Sequence, residues 1–150
     1  MTARIIFEKR PGKYDAMLVE RGGALEEIPC PKQRPIPHDM FHCAVETVLE
    51  KRGFMHRFAA GEGAGFRMTP EATSEAIERL VETMQADSWS GRPPAHEVVA
   101  LFETTCAARG DTPFALATAD IVDLRDEIDR LAVLWEAVPV GGRVTLELRP

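Results

Sequence analysis

The sequence predicts an α+β fold, with an antiparallel sheet of about four strands packed against about four helices, and three observations predict it. The first thirty residues hold short apolar runs separated by turn residues, which indicates a meander of strands. The middle of the chain carries apolar residues at spacings of three and four, which is typical of amphipathic helices. The last residues alternate between apolar and polar side chains, as a half-buried strand does.

The N-terminal meander is predicted to contain three strands. They cover residues 4–9, 14–21 and 24–28. Pro11-Gly12 and Gly22-Gly23 supply the turns between them. The four prolines from position 29 to position 37 disfavour regular structure in that stretch. A C-terminal strand that begins at Arg143 is expected to return to the meander and close one sheet against a helical layer.

Four helices are predicted from apolar stripes and from the signals at their ends. They begin at Pro37, at Thr69-Pro70, at Pro93-Pro94 and at about Thr118. The first helix is expected to end at Lys51-Arg52-Gly53, where cations precede a glycine. The residues from Gly53 to Phe58 that follow it are interpreted as an extended segment.

The fourth helix carries an apolar seam that allows two interpretations. From Ile121 to Val138 its apolar residues alternate between spacings of three and four, like a short heptad pattern. Because the seam is shorter than three heptads, packing against the core is the favoured interpretation. A homodimer through the Ile121–Val138 helix is the alternative.

Length and composition indicate a single domain over residues 1–150. The chain is 45% apolar and 28% charged, which is ordinary for a globular protein.

The net charge of −6 opposes binding to nucleic acid, because neutralising phosphates requires a basic surface. No signal peptide or apolar run of membrane-spanning length is visible, so no membrane partner is expected. Three cysteines without a CxxC pair fit a reducing compartment, which predicts a cytoplasmic location.

The residues that point to chemistry are the stretch HDMFH at positions 38–42, followed by Glu46. Residues four apart lie on one side of a helix, so His38, His42 and Glu46 follow one edge of the first helix. Two imidazoles at this spacing can bind one zinc ion. We therefore predict a divalent metal, zinc before others, held by His38, His42 and Glu46. In a metal-dependent hydrolase, Asp39 or Glu46 would accept a proton from the metal-bound water.

The sequence allows other choices for the third metal ligand and another function for the protein. His56, His96 or an acid elsewhere in the chain can replace Glu46 as the third ligand, and Cys30 can join the two histidines. The histidines can instead be structural, because a histidine at the border of a core often simply packs and forms hydrogen bonds there. The protein is then a non-enzymatic interaction module.

Two resemblances involve the same stretch of sequence. The HDxxH pattern resembles the HExxH motif of the zincin metalloproteases, with the shorter Asp39 at the position of the glutamate base. The longer pattern PHDxxHxxVE at positions 37–46, together with VPVGG at positions 138–142, resembles a family of small bacterial proteins. The second resemblance implies a shared α+β fold and implies no activity.

Overall fold

The computed structural model describes residues 3–21, 23–61 and 71–149, and these form an α+β fold. Its strands are β1 (Ala3–Glu8), β2 (Tyr14–Arg21), β3 (Ala24–Pro31) and β4 (Arg143–Leu148). They form one antiparallel sheet in the order β3-β2-β1-β4. The predicted meander and the returning C-terminal strand are therefore confirmed.

Strand β1 alternates between buried and more exposed residues, whereas β2 is buried continuously from Asp15 to Val19. Ile5 and Phe7 of β1 are buried, and they lie opposite Val19 and Met17 of β2. Arg4 of β1 is exposed, as expected for the opposite face of a strand. The helices pack against the buried face.

Strand β3 is longer than the sequence predicts. It continues through Pro29 and Pro31, which pair with Ala16 and Tyr14 of β2. The prediction that these two prolines lie outside regular structure is wrong, because β3 is an edge strand. A proline has no N–H to donate, and it is tolerated where that side of the strand has no neighbour.

The described part of the chain contains five helices rather than about four. They are α1 (His38–Leu49), α2 (Phe54–Ala59), α3 (Ala72–Trp89), α4 (Ala95–Arg109) and α5 (Thr118–Ala137). The additional helix is α2, so the interpretation of Gly53 to Phe58 as an extended segment is wrong. The start predicted at Thr69-Pro70 lies outside the described residues. Helix α1 packs against both α3 and α5, which places it at the centre of the helical layer.

The apolar seam of α5 packs into the core of its own chain. Its residues from position 121 to position 135 that follow the heptad-like spacing are all buried: Ile121, Leu124, Ile128, Leu131 and Trp135. Core packing, the favoured interpretation, is confirmed for these residues, and a homodimer through this helix stays a prediction. No helix in the described ranges combines the length and the apolar character that crossing a bilayer requires.

Replacing Ile128 with alanine is expected to destabilise the protein by about 2–5 kcal/mol, because this fully buried side chain leaves a cavity in the core. The measurement is the free energy of unfolding in urea. Val133→Ala on the exposed side of the same helix is the control, with an expected change of about 0.5 kcal/mol or less. Equal losses in the two variants would contradict the assignment of α5 to the core.

Candidate metal centre

Two histidines of α1 and one glutamate of α3 meet at a single point. Nε2 of His42 lies 3.0 Å from Oε2 of Glu78, and Nε2 of His38 lies 3.5 Å from Oε1 of the same carboxylate. One donor atom from each of the three residues lies within 4.8 Å of the other two. Because His38 and His42 lie one helical turn apart, their rings are adjacent, with centroids 4.9 Å apart. This group can hold a metal ion.

The second nitrogen of each histidine ring faces a different partner. Nδ1 of His38 lies 3.0 Å from the side-chain nitrogen of Gln85, about two turns further along α3 than Glu78. Nδ1 of His42 lies 3.6 Å from Oε2 of Glu46, slightly beyond hydrogen-bond distance. Both rings therefore direct Nε2 towards Glu78, while polar groups behind them restrict their orientation. A histidine that binds a metal usually donates its second N–H to an acceptor, and the carboxylate of Glu46 is such an acceptor close to His42.

The three residues differ in exposure, and burial and neighbouring charges shift the pKa values of His42 and Glu78 in opposite directions. His42 is 2% exposed, whereas the side chains of His38 and Glu78 are 38% and 32% exposed. Burial by itself lowers the pKa of His42, but the carboxylates of Glu46 and Glu78 outweigh it and raise the pKa to about 10. Burial likewise opposes ionisation of Glu78, yet the two histidines hold the pKa of its carboxyl well below the usual range. The two carboxylates therefore favour the protonated form of His42.

Glu46 is fully buried and lies on the core side of this centre, next to His42. Its carboxylate accepts hydrogen bonds from the backbone N–H groups of Gly53, Met55 and His56, at 2.9–3.0 Å. It also lies 2.7 Å from Nδ1 of His56. Met55 and His56 are in the first turn of α2, so Glu46 supplies the acceptor that an N-cap side chain would otherwise supply. This contact explains why the segment after Gly53 is helical.

Gly53 has a role that any larger residue would disturb. A Cβ atom at this position would lie 2.9 Å from the carboxyl carbon of Glu46 and 3.0 Å from the side chain of Ile77. The absence of a side chain lets the backbone N–H approach the buried carboxylate closely enough to donate to it.

The other residues predicted for the site have different surroundings. The carboxylate of Asp39 lies 3.6 Å from the thiol of Cys30, which donates to it. His56 contacts Glu46, and His96 is exposed on α4. Asp39 as a base and Glu46 as a base or ligand stay predictions. The carboxylate that the structure groups with both histidines is that of Glu78.

Glu78 is the residue that sequence reasoning did not identify. A weak signal was present, because Glu78, Val81 and Gln85 are spaced three and four apart and share one face of α3. Val81 is fully buried, so the two polar residues flank a position that faces the core. A carboxylate and an amide on the core-facing side of a helix indicate a polar partner on a neighbouring helix.

Replacing Glu46 with glutamine is expected to lower the free energy of unfolding by about 1–3 kcal/mol, because a neutral amide leaves buried N–H donors poorly matched. Burial raises the pKa of this carboxyl, but His42, His56 and the backbone donor outweigh it and lower the pKa from 4.5 to about 2. Since the folded-state pKa is lowered, the advantage of wild type over the variant is complete above pH 4.5 and declines as the pH falls towards 2.

The measurement for Glu46 is urea unfolding of the metal-free protein at a series of pH values. Glu147→Gln, an exposed position on β4, is the matched control and should show little change at any pH. A Glu46→Gln variant as stable as wild type at pH 7 would show that the buried carboxylate does not hold α1 and α2 together.

Comparison of the chain with protein-family models, with curated proteins and with solved structures found no match. The functional assignment therefore depends on the geometry of this centre.

Proposed function

We propose that the protein binds a divalent metal ion, zinc before others, through His38, His42 and Glu78, and that the bound metal activates water for hydrolysis. One observation carries the proposal. The Nε2 atoms of both histidines meet the two oxygens of one carboxylate, while their Nδ1 atoms face Gln85 and Glu46.

The separations in the centre favour a metal with short bonds. Zinc binds imidazole nitrogen and carboxylate oxygen at about 2.0–2.2 Å in a tetrahedron, which places neighbouring ligand atoms about 3.3–3.5 Å apart. The 3.0 Å and 3.5 Å separations between Glu78 and the two histidines are close to those values. The two separations involve different oxygens of Glu78, and the three donor atoms lie within 4.8 Å of one another, so the side chains have to move closer together around an ion.

The number and type of ligands favour a catalytic rather than a purely structural metal. Structural zinc sites usually have four protein ligands, whereas two histidines and one glutamate leave a position for water. His38 and Glu78 are partly exposed, so that position can open towards solvent on their side. A metal lowers the pKa of its bound water and so supplies hydroxide near neutral pH.

Within this proposal Glu46 contributes through His42. Its carboxylate stands behind the Nδ1 atom and favours a proton there, which leaves Nε2 free for the metal. Gln85 can do the same for His38 when its amide oxygen faces Nδ1, whereas its side-chain N–H at that position would donate to Nδ1 and leave the proton on Nε2.

The alternative function, an interaction module with structural histidines, is favoured by one observation. A protonated His42 between Glu46 and Glu78 compensates one of the two carboxylate charges without any metal, and the raised pKa of about 10 fits that state. The two functions differ in whether an added metal displaces the proton from His42.

After loading with zinc and removal of the excess, wild-type protein is expected to retain about one zinc ion per chain. His38→Ala/His42→Ala should retain none, and Glu78→Gln should lose at least tenfold in affinity, because each change removes ligand atoms. The measurement is elemental analysis of tag-free protein with zinc competition by a chromophoric chelator.

Matched controls are His96→Ala and Glu97→Gln, which remove exposed residues of the same types from α4. Both should bind zinc as wild type does. Wild type that takes up no zinc, manganese or iron would overturn the proposal and leave the structural role of the histidines.

The hydrolase part is tested separately with 4-nitrophenyl acetate, which zinc-loaded wild type should hydrolyse faster than Glu78→Gln does and faster than free zinc does. Equal rates would overturn that part alone.

A further inference from the structure

A second concave site lies between β2, the proline-rich loop after β3 and the end of α5. It is a half-open cleft of about 520 Å³, within the range of small-molecule sites. Its lining includes Lys9, Asp15, Lys32, Arg34, Pro35 and Trp135. None of its lining residues belongs to the metal centre, so the two sites are separate.

The charge of this cleft is opposite to that of the protein. Three cationic side chains, those of Lys9, Lys32 and Arg34, line it together with the acids Asp15 and Glu136, which gives a local charge of +1. The whole chain carries −6. A cleft with a cationic excess in an acidic protein favours a small anion, whereas a long polyanion would be repelled by the rest of the surface.

The two lysines of the cleft are already fixed in position. Nζ of Lys9 donates to the carbonyl oxygen of Trp135 at 2.6 Å and lies 4.7 Å from the centre of its indole ring. Nζ of Lys32 donates to the carbonyl oxygen of Arg10 at 2.5 Å and to Oδ1 of Asp15 at 2.7 Å. An ammonium group has three N–H donors, so each lysine keeps at least one for a ligand. Binding then costs little side-chain entropy.

Arg34 supplies a cation that the fold does not use. Its side chain is exposed, and no hydrogen bond or ion pair of its guanidinium occurs among the described residues. Its backbone is held in place, because its carbonyl oxygen accepts a hydrogen bond from Nε1 of Trp89 at 2.6 Å. A guanidinium can bind two oxygens of one phosphate or carboxylate at once.

We propose that this cleft binds a small organic anion, with its phosphate or carboxylate group on Arg34 and the two lysines. Pro35, Ala132 and Trp135 form the apolar part of the lining and face the remainder of the ligand. Lys9 and Lys32 each have a structural partner, but structural roles do not account for the unused guanidinium or for the volume enclosed beside it.

The test is a titration of metal-free protein followed by two-dimensional amide NMR. The probes are phenyl phosphate, benzoate and, as a neutral control, benzyl alcohol. One of the two anions is expected to give saturable shifts at Lys9, Lys32 and Arg34, and the tighter of the two shows whether the natural ligand carries phosphate or carboxylate. Benzyl alcohol should give none.

Arg34→Gln is expected to weaken binding of the anion at least tenfold, and Arg34→Lys to recover part of the loss. Arg4→Gln removes an equal charge at the opposite end of β1 from Lys9 and should bind as wild type does. Absence of saturable binding by both anions would overturn the proposal, and so would an equal effect of Arg34→Gln and Arg4→Gln. Because the metal is absent throughout, failure here leaves the zinc proposal unaffected.

Discussion

The buried carboxylate of Glu46 is the constraint on which the rest of the helical layer depends. A charge with no exposure to solvent has to be matched by donors, or the fold becomes costly. Here the donors come from the turn after α1 and from the first turn of α2, together with the ring of His56. The hydrogen bonds to this carboxylate therefore determine where the chain turns and where α2 begins. They also explain why position 53 requires a glycine.

The same carboxylate links the core to the candidate metal centre. His42 lies between Glu46, which is fully buried, and Glu78, which is partly exposed. Nδ1 of the ring therefore faces the core and Glu46, while Nε2 faces Glu78 on the more exposed side. Since α1 also packs against α3 and α5, the ligands of the centre are on helices that the core holds in place. Because these helices are already packed, the ligand side chains are held near their binding positions. This lowers the free-energy cost of binding a metal.

Sequence patterns predicted the elements whose signals are local. The heptad-like seam from Ile121 fixes the buried face of α5, and the spacing of His38 and His42 places both rings on one side of α1. Features that depend on distant contacts were missed. Helix α2 is stabilised by Glu46 from another helix, and Glu78 reaches the histidines only because α3 packs against α1. Periodicity reports which face of a helix is buried, but not which side chain of another helix lies opposite it.

The most direct measurement of the central claim is the position of a bound metal, obtained from anomalous diffraction of a zinc-loaded crystal recorded at the zinc absorption edge. The proposal predicts one strong peak about 2.0–2.2 Å from Nε2 of His38, Nε2 of His42 and a carboxylate oxygen of Glu78, with an additional position open to water. A peak at the thiol of Cys30, or no peak between α1 and α3 in protein that binds zinc in solution, would contradict it.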